Sequence, residues 1–241
     1  MKIEIRKVDE KRGIIQITTS DERWYIKQDE QLNNIFVPSV TWICEHYPKG
    51  IGFYKWLSQR SWDESEALKE AAGEKGSRVH RAIDDLICGK TILIDSKYAA
   101  NDEEAKELTV AEYEAVMSFV EWCKDKKPKF LQHDFVVWGD GYAGTVDALC
   151  EIEDKKYIID FKTSQSIWPS HELQLSAYKH AFDEVNLAIL QLGYRLNKKK
   201  YKFTEIEDKF DLFLAAKQIW ANETEGVIPL QKDYPMELRL E

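Results

Sequence analysis

Asp147, Asp160 and Lys162 are the residues whose types and spacing best suit chemistry. They lie in Gly141 to Ser164, GYAGTVDALCEIEDKKYIIDFKTS, which reads as two strands joined by a tight charged turn. Ile159 and Phe161 alternate with Asp160 and Lys162, so the apolar pair faces a core while the acid and amine face the other way. If the hairpin closes around Glu153-Asp154, Ile152 pairs with Lys155, and counting back along both strands sets Asp147 directly opposite Asp160. Carboxylates in such a pair stand about 5 Å apart at Cβ and repel. A divalent cation held by oxygen ligands would compensate them. Lys162 lies on the same face, about 6–7 Å further along the strand. There its ammonium could orient or help deprotonate an attacking water and stabilise charge on a phosphoryl group. Two acids for metal, one cation and a water are the parts that phosphodiester hydrolysis needs.

An acid-x-Lys triplet alone is weak. Asp125-Lys126-Lys127, Glu153-Asp154-Lys155, Asp154-Lys155-Lys156 and Glu207-Asp208-Lys209 also occur, but in charged, helical or turn contexts where solvation explains them. Asp160-Phe161-Lys162 stands apart by ending an apolar strand with an Asp paired to it. The rival reading is a surface Asp–Lys pair on an amphipathic edge.

The elements around this hairpin supply further candidates. A long helix is expected from about Glu64 to Cys88, with Leu68, Ala72, Val79, Ile83, Leu86 and Ile87 on its buried side. His80 borders that side, so a core histidine competes with a metal ligand. Gly76, one turn earlier, leaves room for close approach, and Asp84, one turn later, could hold the second ring nitrogen. After the hairpin, a helix from about Glu172 to Phe182 sets Gln174 and Tyr178 on one face, where they could contact phosphate or a base. His171 and Glu172 are read as capping that helix. Of the tryptophans, Trp24, Trp42, Trp56, Trp138 and Trp168 are candidates for stacking on single-stranded bases, with Trp168 favoured by its polar loop.

Elsewhere, alternation over Ile3–Val8, Ile14–Thr18 and Trp24–Lys27 predicts a small meander or hairpin pair. Ser39 reads as a helix cap before Trp42, Ile43 and Tyr47. Gly52 to Gln59 reads as a helix packing Phe53, Trp56 and Leu57 inward. A polar connection through Asp102 leads to a helix from Thr109 to Lys124. Strands follow at Phe130–Trp138, Tyr142–Ile152, Lys156–Phe161, Asn186–Leu192 and Tyr201–Thr204, with a last helix over Asp208 to Asn222. This order is that of an α/β or α+β fold, a central mixed sheet with an antiparallel portion, flanked by helices.

The 241 residues, 44% hydrophobic and 32% charged, suit one folded domain. Residues 61–224 are expected to form its core and 1–60 an N-terminal elaboration of strand and helix. The formal net charge of −9 argues against coating nucleic acid by bulk electrostatics but permits local phosphate contacts. Two basic runs, Lys124–Lys129 and Lys198–Lys200, are candidates for such contacts or are solvated turns. The four cysteines, widely spaced and without a CxxC pair, read as buried free thiols. No stretch suits a membrane span, and the opening MKIEIRKVDEKRG lacks the apolar core of a secretory signal, so a cytoplasmic location is expected.

Four segments in order resemble the PD-(D/E)XK nuclease superfamily, specifically its RecB-like branch of phage-type and mitochondrial genome-maintenance exonucleases. They are Gly76-Ser77-Arg78-Val79-His80, Gly144-Thr145-Val146-Asp147, Ile159-Asp160-Phe161-Lys162-Thr163-Ser164 and Gln174-Leu175-Ser176-Ala177-Tyr178, preceded by Pro38-Ser39-Val40-Thr41. The resemblance implies a restriction-endonuclease-like fold and a Mg²⁺ or Mn²⁺ ion held by His80, Asp147, Asp160 and the Phe161 carbonyl. Lys162 would position water, Gln174 and Tyr178 would complete the catalytic site, and Arg78, Ser164 and Trp168 would contact DNA. Some relatives carry a four-cysteine iron–sulfur cluster. With no cysteine after Cys150, none is expected here. No GxxxxGK(S/T) motif is present, so any helicase or repair partner would be a separate protein. The implied activity is that of a DNA exonuclease acting at free, single-stranded ends in repair, recombination or replication. A structure-specific endonuclease with the same site, or a catalytically inactive nucleic-acid-binding module, is the alternative.

Overall fold

The computed structural model describes residues 3–19, 22–100, 104–225, 227 and 239–240. Four N-terminal strands, β1 (Glu4–Asp9), β2 (Ile14–Thr18), β3 (Arg23–Gln28) and β4 (Asn34–Pro38), form an antiparallel meander. The alternation of the first three was legible in the sequence. The fourth was not, because its apolar residues Ile35-Phe36-Val37 do not alternate and run straight into the Ser39 cap through Pro38.

Ser39 Oγ accepts from the Trp42 amide and opens α1 (Val40–Glu45). Next come α2 (Ile51–Ser58) and α3 (Trp62–Ile87), then the two-residue strands β5 (Lys97–Tyr98) and β6 (Lys106–Glu107). The connection expected through Asp102 lies outside the described residues. Helix α4 (Val110–Lys126) starts with a capping box in which Thr109 and Glu112 satisfy each other's backbone amides. It ends at Lys127, whose φ of 47° is left-handed. Strands β7 (Lys129–Gly139), β8 (Tyr142–Ile152) and β9 (Lys155–Lys162), helix α5 (Pro169–Lys179), strands β10 (Asn186–Leu192) and β11 (Tyr201–Ile206), and helix α6 (Phe210–Glu223) complete the order.

The central sheet runs β11-β10-β9-β8-β7 and is antiparallel except for the β9–β10 pair. That parallel step is joined by α5, as a crossover connection requires. Helices cover both faces. On one, Val79 and Ile83 of α3 and Phe119 and Trp122 of α4 pack with Ile159, Phe161 and Leu190. On the other, Ile43 of α1, Leu173 and Leu175 of α5 and Phe213 of α6 pack with Leu149, Ile158 and Ile189. This double covering explains the near-continuous apolar run of β10.

The N-terminal elaboration is tied to this body. Ile14, Tyr25 and Val37 of the meander pack on Val136 of β7 and Ala143 of β8. Trp24, Trp42 and Trp220 meet edge to face, with centroids 5.2–6.1 Å apart, and join β3, α1 and α6. Helix α1 belongs to the core packing, although its residues fall within the expected N-terminal elaboration.

Two packing expectations fail. Helix α2 buries none of its residues, so Phe53, Trp56 and Leu57 do not turn into a core. The first half of α3 also stands clear of the body, leaving Leu68 46% exposed and Ala72 exposed. Periodicity identifies an apolar stripe, but a stripe is buried only where a partner element is available to cover it.

Candidate active site

The hairpin register is as counted from the sequence: Ile152 pairs with Lys155, and pairing continues to Ala148 opposite Ile159. One step further places Asp147 opposite Asp160, and there the backbone ladder stops. The Asp147 side chain takes over, with Oδ2 accepting from the Phe161 amide at 2.7 Å. Asp160 shares its strand face with Ile158, under α5, and is only 3% exposed. Asp160 is therefore buried and Lys162 partly so, which does not fit the rival reading of a surface pair on an amphipathic edge.

Asp160 faces Lys162, whose Nζ lies 2.9 Å from Oδ1 and 2.8 Å from Oδ2. Oδ2 is buried and makes no hydrogen bond beyond this ion pair. His80 reaches the pair from α3. Its Nε2 is 2.9 Å from the Phe161 carbonyl and its Nδ1 is 3.4 Å from Asp147 Oδ1. Val79 and Ile83, fully buried beside it, fix the rotation of α3 that aims the ring.

The charges are strongly coupled. Burial opposes protonation of His80, but Asp147 outweighs it and raises the imidazole to about 9. Burial likewise opposes ionisation of Asp147, yet His80 and Lys162 hold its carboxyl below the usual range. For Asp160 burial wins, Asp147 adds to it, and the carboxyl is raised. Lys162 loses less to burial than it gains from Asp160 and Asp147, so its ammonium is held protonated. A charged Lys162 suits orienting water or stabilising an anion better than removing a proton.

Helix α5 brings Gln174 and Tyr178 over the same strand ends, with Gln174 Nε2 donating to the Tyr178 hydroxyl at 3.0 Å. The Tyr178 ring is buried against Gly144, where a Cβ would lie 2.5 Å from Cε1. Gly144 thus makes room for that ring. At the head of α5 the Trp168 amide approaches His171 Nδ1 at 3.4 Å, in keeping with a capping role. Burial, with Lys162 and Lys49 nearby, lowers the His171 imidazole to about 3. Glu172 instead pairs with Lys209 at 2.5 Å.

Two cavities meet at these residues, sharing His80, Asp147 and Lys162. The larger, about 740 Å³, lies between α3 (Gly73, Gly76, Ser77, Arg81, Asp84) and Ser164, Trp168, His171 and Arg195. The smaller, about 330 Å³, lies between the N-terminal meander and α5, and includes Asp160, Gln174 and Tyr178. Trp168 is 53% exposed on the first cavity, while Ser164 lines it and donates to the Ser166 carbonyl.

Arg78, expected at DNA, is turned the other way. Its Nε pairs with buried Glu112 at 2.8 Å and its Nη1 with Glu74 at 3.4 Å, locking α3 to α4. Asp84 pairs with His133 at 3.4 Å rather than holding the second nitrogen of His80. An added Cβ at Gly76 would meet nothing within 4 Å, so this glycine faces open space rather than a packed element. In the basic runs, Lys124, Lys126, Lys199 and Lys200 pair with Glu121, Glu153, Asp125 and Glu114. The cysteines are free thiols, although Cys88 is exposed.

Some residues at the site had not been singled out. His133 pairs with Ala148 and Phe135 with Val146, so Asp134 lies opposite Asp147 and completes a row of three aspartates across β7, β8 and β9. The mirror counting used for the second hairpin would have found it in the first. Tyr25 of β3 accepts from its cross-strand partner Gln16 at 2.7 Å and lies 3.0 Å from Thr145 Oγ1. Both line the smaller cavity with Arg6 and Arg23. A glutamine on the core-facing side of β2 was the available signal.

The donor set of one imidazole, two carboxylates and a main-chain carbonyl suits a hard divalent cation, and Asp160 Oδ2 would have to leave its ion pair with Lys162 to join it. In the described arrangement, His80 rests on Asp147 and Phe161 while Asp160 turns to Lys162. Among the described residues, no three His, Cys, Asp or Glu side chains are placed together so as to hold a metal ion. No helix among the described residues is long and apolar enough to cross a membrane.

No family model and no curated protein sequence matches the chain. Among solved structures, it is similar to an alkaline exonuclease from Laribacter hongkongensis at 9% identity and a TM-score of 0.40, over 76% of this chain and 84% of that one. It is also similar to the protein SSO0001 at 15% identity and a TM-score of 0.32, over 54% and 72% of the two chains. Likenesses this distant leave the function to be argued from the site itself.

Proposed function

We propose that this protein is a metal-dependent DNA exonuclease that hydrolyses phosphodiester bonds from free, single-stranded ends in DNA repair, recombination or replication. The observation carrying this reading is the convergence of His80, Asp147, Asp160, Lys162 and the Phe161 carbonyl where two cavities meet. His80, Asp147, Asp160 and the Phe161 carbonyl would hold Mg²⁺ or Mn²⁺, and with the cation bound, Lewis-acid stabilisation of phosphoryl oxygens becomes available. Imidazole ligation requires the neutral ring, so binding must displace the proton that Asp147 favours on His80.

Lys162 keeps its proton and places positive charge beside the scissile phosphate. Gln174 and Tyr178 orient the phosphate or a base from the α5 side. Trp168 offers an exposed ring for the incoming strand, beside Ser164. Arg78, paired with Glu112 and Glu74, would serve the site by holding α3 in place. The resemblance to the PD-(D/E)XK superfamily, with its restriction-endonuclease-like fold, supports the same reading.

The test is cleavage of end-labelled linear single-stranded DNA beside a closed circle, with Mg²⁺ or Mn²⁺ and with EDTA. Loss of the linear strand alone, abolished by EDTA and by Asp160→Ala, supports the exonuclease. Cleavage of the circle would assign the site to an endonuclease. Binding of DNA without cleavage under any of these conditions would leave only a binding module.

A further inference from the structure

Helix α2 is apolar, exposed and basic. From His46 to Trp62 the sequence has no acid, while Lys49, Lys55 and Arg60 lie within it, in a chain of net charge −9. None of the α2 residues is buried, and Tyr54 and Trp62 are 54% and 70% exposed. Phe53 and Trp56 stack with centroids 6.1 Å apart and planes 28° apart, and the Arg60 guanidinium lies 4.9 Å from the Trp56 ring. Tyr54 meets Phe53 edge to face at 5.6 Å. Aromatic rings left exposed over a half-buried Trp56 mark an interaction surface.

The segment is also placed beside the site. It leaves the body after α1, whose Ile43 and Cys44 pack with Leu173 of α5, and returns along α3 to Gly73 and Gly76. Those residues and His171 line the larger cavity.

We propose that Phe53, Tyr54 and Trp62 form a base-stacking platform for single-stranded nucleic acid, backed by Trp56 under Phe53 and Arg60, with Lys49 and Lys55 meeting its phosphates. It extends the cleft of the nuclease reading, on which its direction toward the acids rests. Exposed π faces flanked by cations are the chemistry that holds unpaired bases without reading their sequence. A duplex offers no such faces, because its bases are stacked on each other.

The experiment is fluorescence anisotropy of labelled dT20 with the full chain in EDTA, since stacking away from the acids needs no cation. Phe53→Ala/Tyr54→Ala and Trp62→Ala are expected to melt like the native chain and to weaken binding about 5-fold or more, from roughly 1–3 kcal/mol per stacked base. Phe53→Leu/Tyr54→Leu keeps the apolar surface without the π faces and is expected to weaken binding as the alanines do. Unchanged affinity in the alanine variants, or full recovery with leucine, overturns the platform. So does platform-dependent attachment to phosphatidylserine vesicles, or platform-dependent dimerisation in sedimentation, with dT20 binding unaffected. A chain that binds dT20 through these rings but cleaves nothing with Mg²⁺ or Mn²⁺ would keep the platform and end the nuclease reading.

Discussion

Substitution of Gly144 tests the packing that seats Tyr178 over the acids. A Cβ built at Gly144 falls 2.5 Å from Cε1, 2.9 Å from the hydroxyl oxygen and 3.1 Å from Cζ of Tyr178. The ring cannot swing aside cheaply, being 2% exposed within the cluster formed by Leu173, Leu175 and Val146. Gly144→Ala therefore forces ring or strand to move by about 1 Å, and overpacking of this kind costs about 1–3 kcal/mol. For a chain this size, the melting temperature should fall by roughly 2–12 °C. Displacement also pulls the hydroxyl from Gln174, so under the nuclease reading the cleavage rate should fall by up to about 100-fold. The decisive assay is a double-mutant cycle by thermal denaturation. In a Tyr178→Ala background the added methyl enters the space left by the ring, and the penalty of Gly144→Ala should nearly vanish, a coupling of about 1–3 kcal/mol. A melting temperature within a degree of the native one would refute this reasoning, as would an equal penalty in the two backgrounds.

Arg78→Ala leaves the Glu112 carboxylate, 1% exposed, without its guanidinium and should destabilise by about 3–5 kcal/mol in urea unfolding. An unchanged midpoint with weakened DNA affinity would instead make Arg78 a phosphate contact. His171 is held neutral, with its imidazole lowered to about 3, so its effect is absent above the ordinary histidine value near 6.5. Stability should be lost as pH falls from there, by about 3 kcal/mol at pH 4, because the unfolded chain takes up the proton first. His171→Gln should remove that part of the acid sensitivity, read from urea midpoints at pH 7 and pH 4. Gly76→Ala fills open space on an α3 wall and should stabilise by about 0.5–1 kcal/mol, with any loss of cleavage appearing in KM. A lower melting temperature for that variant would show that the wall is packed.

The hairpin was legible because strand periodicity is 2 and its turn is short. Ile152 opposite Lys155 follows from counting, and the same arithmetic sets Asp147 against Asp160. The long α3, the Ser39 cap and the apolar β10 were equally local facts, carried by side-chain spacing and cap chemistry. Which partner a polar group takes was not local. Arg78 and His80 lie two residues apart on one helix, yet one turns to Glu112 of α4 and the other to Asp147 of β8. Helical spacing sets the angle between them, and only the docking of α3 decides which faces the sheet. The same holds for the exposed α2 and for Tyr25, which reaches Thr145 across 120 residues. The sequence by itself determined the paired acids and the elements that carry them. The tertiary structure decided which of their neighbours meet them, because contacts between elements depend on packing that no local pattern encodes.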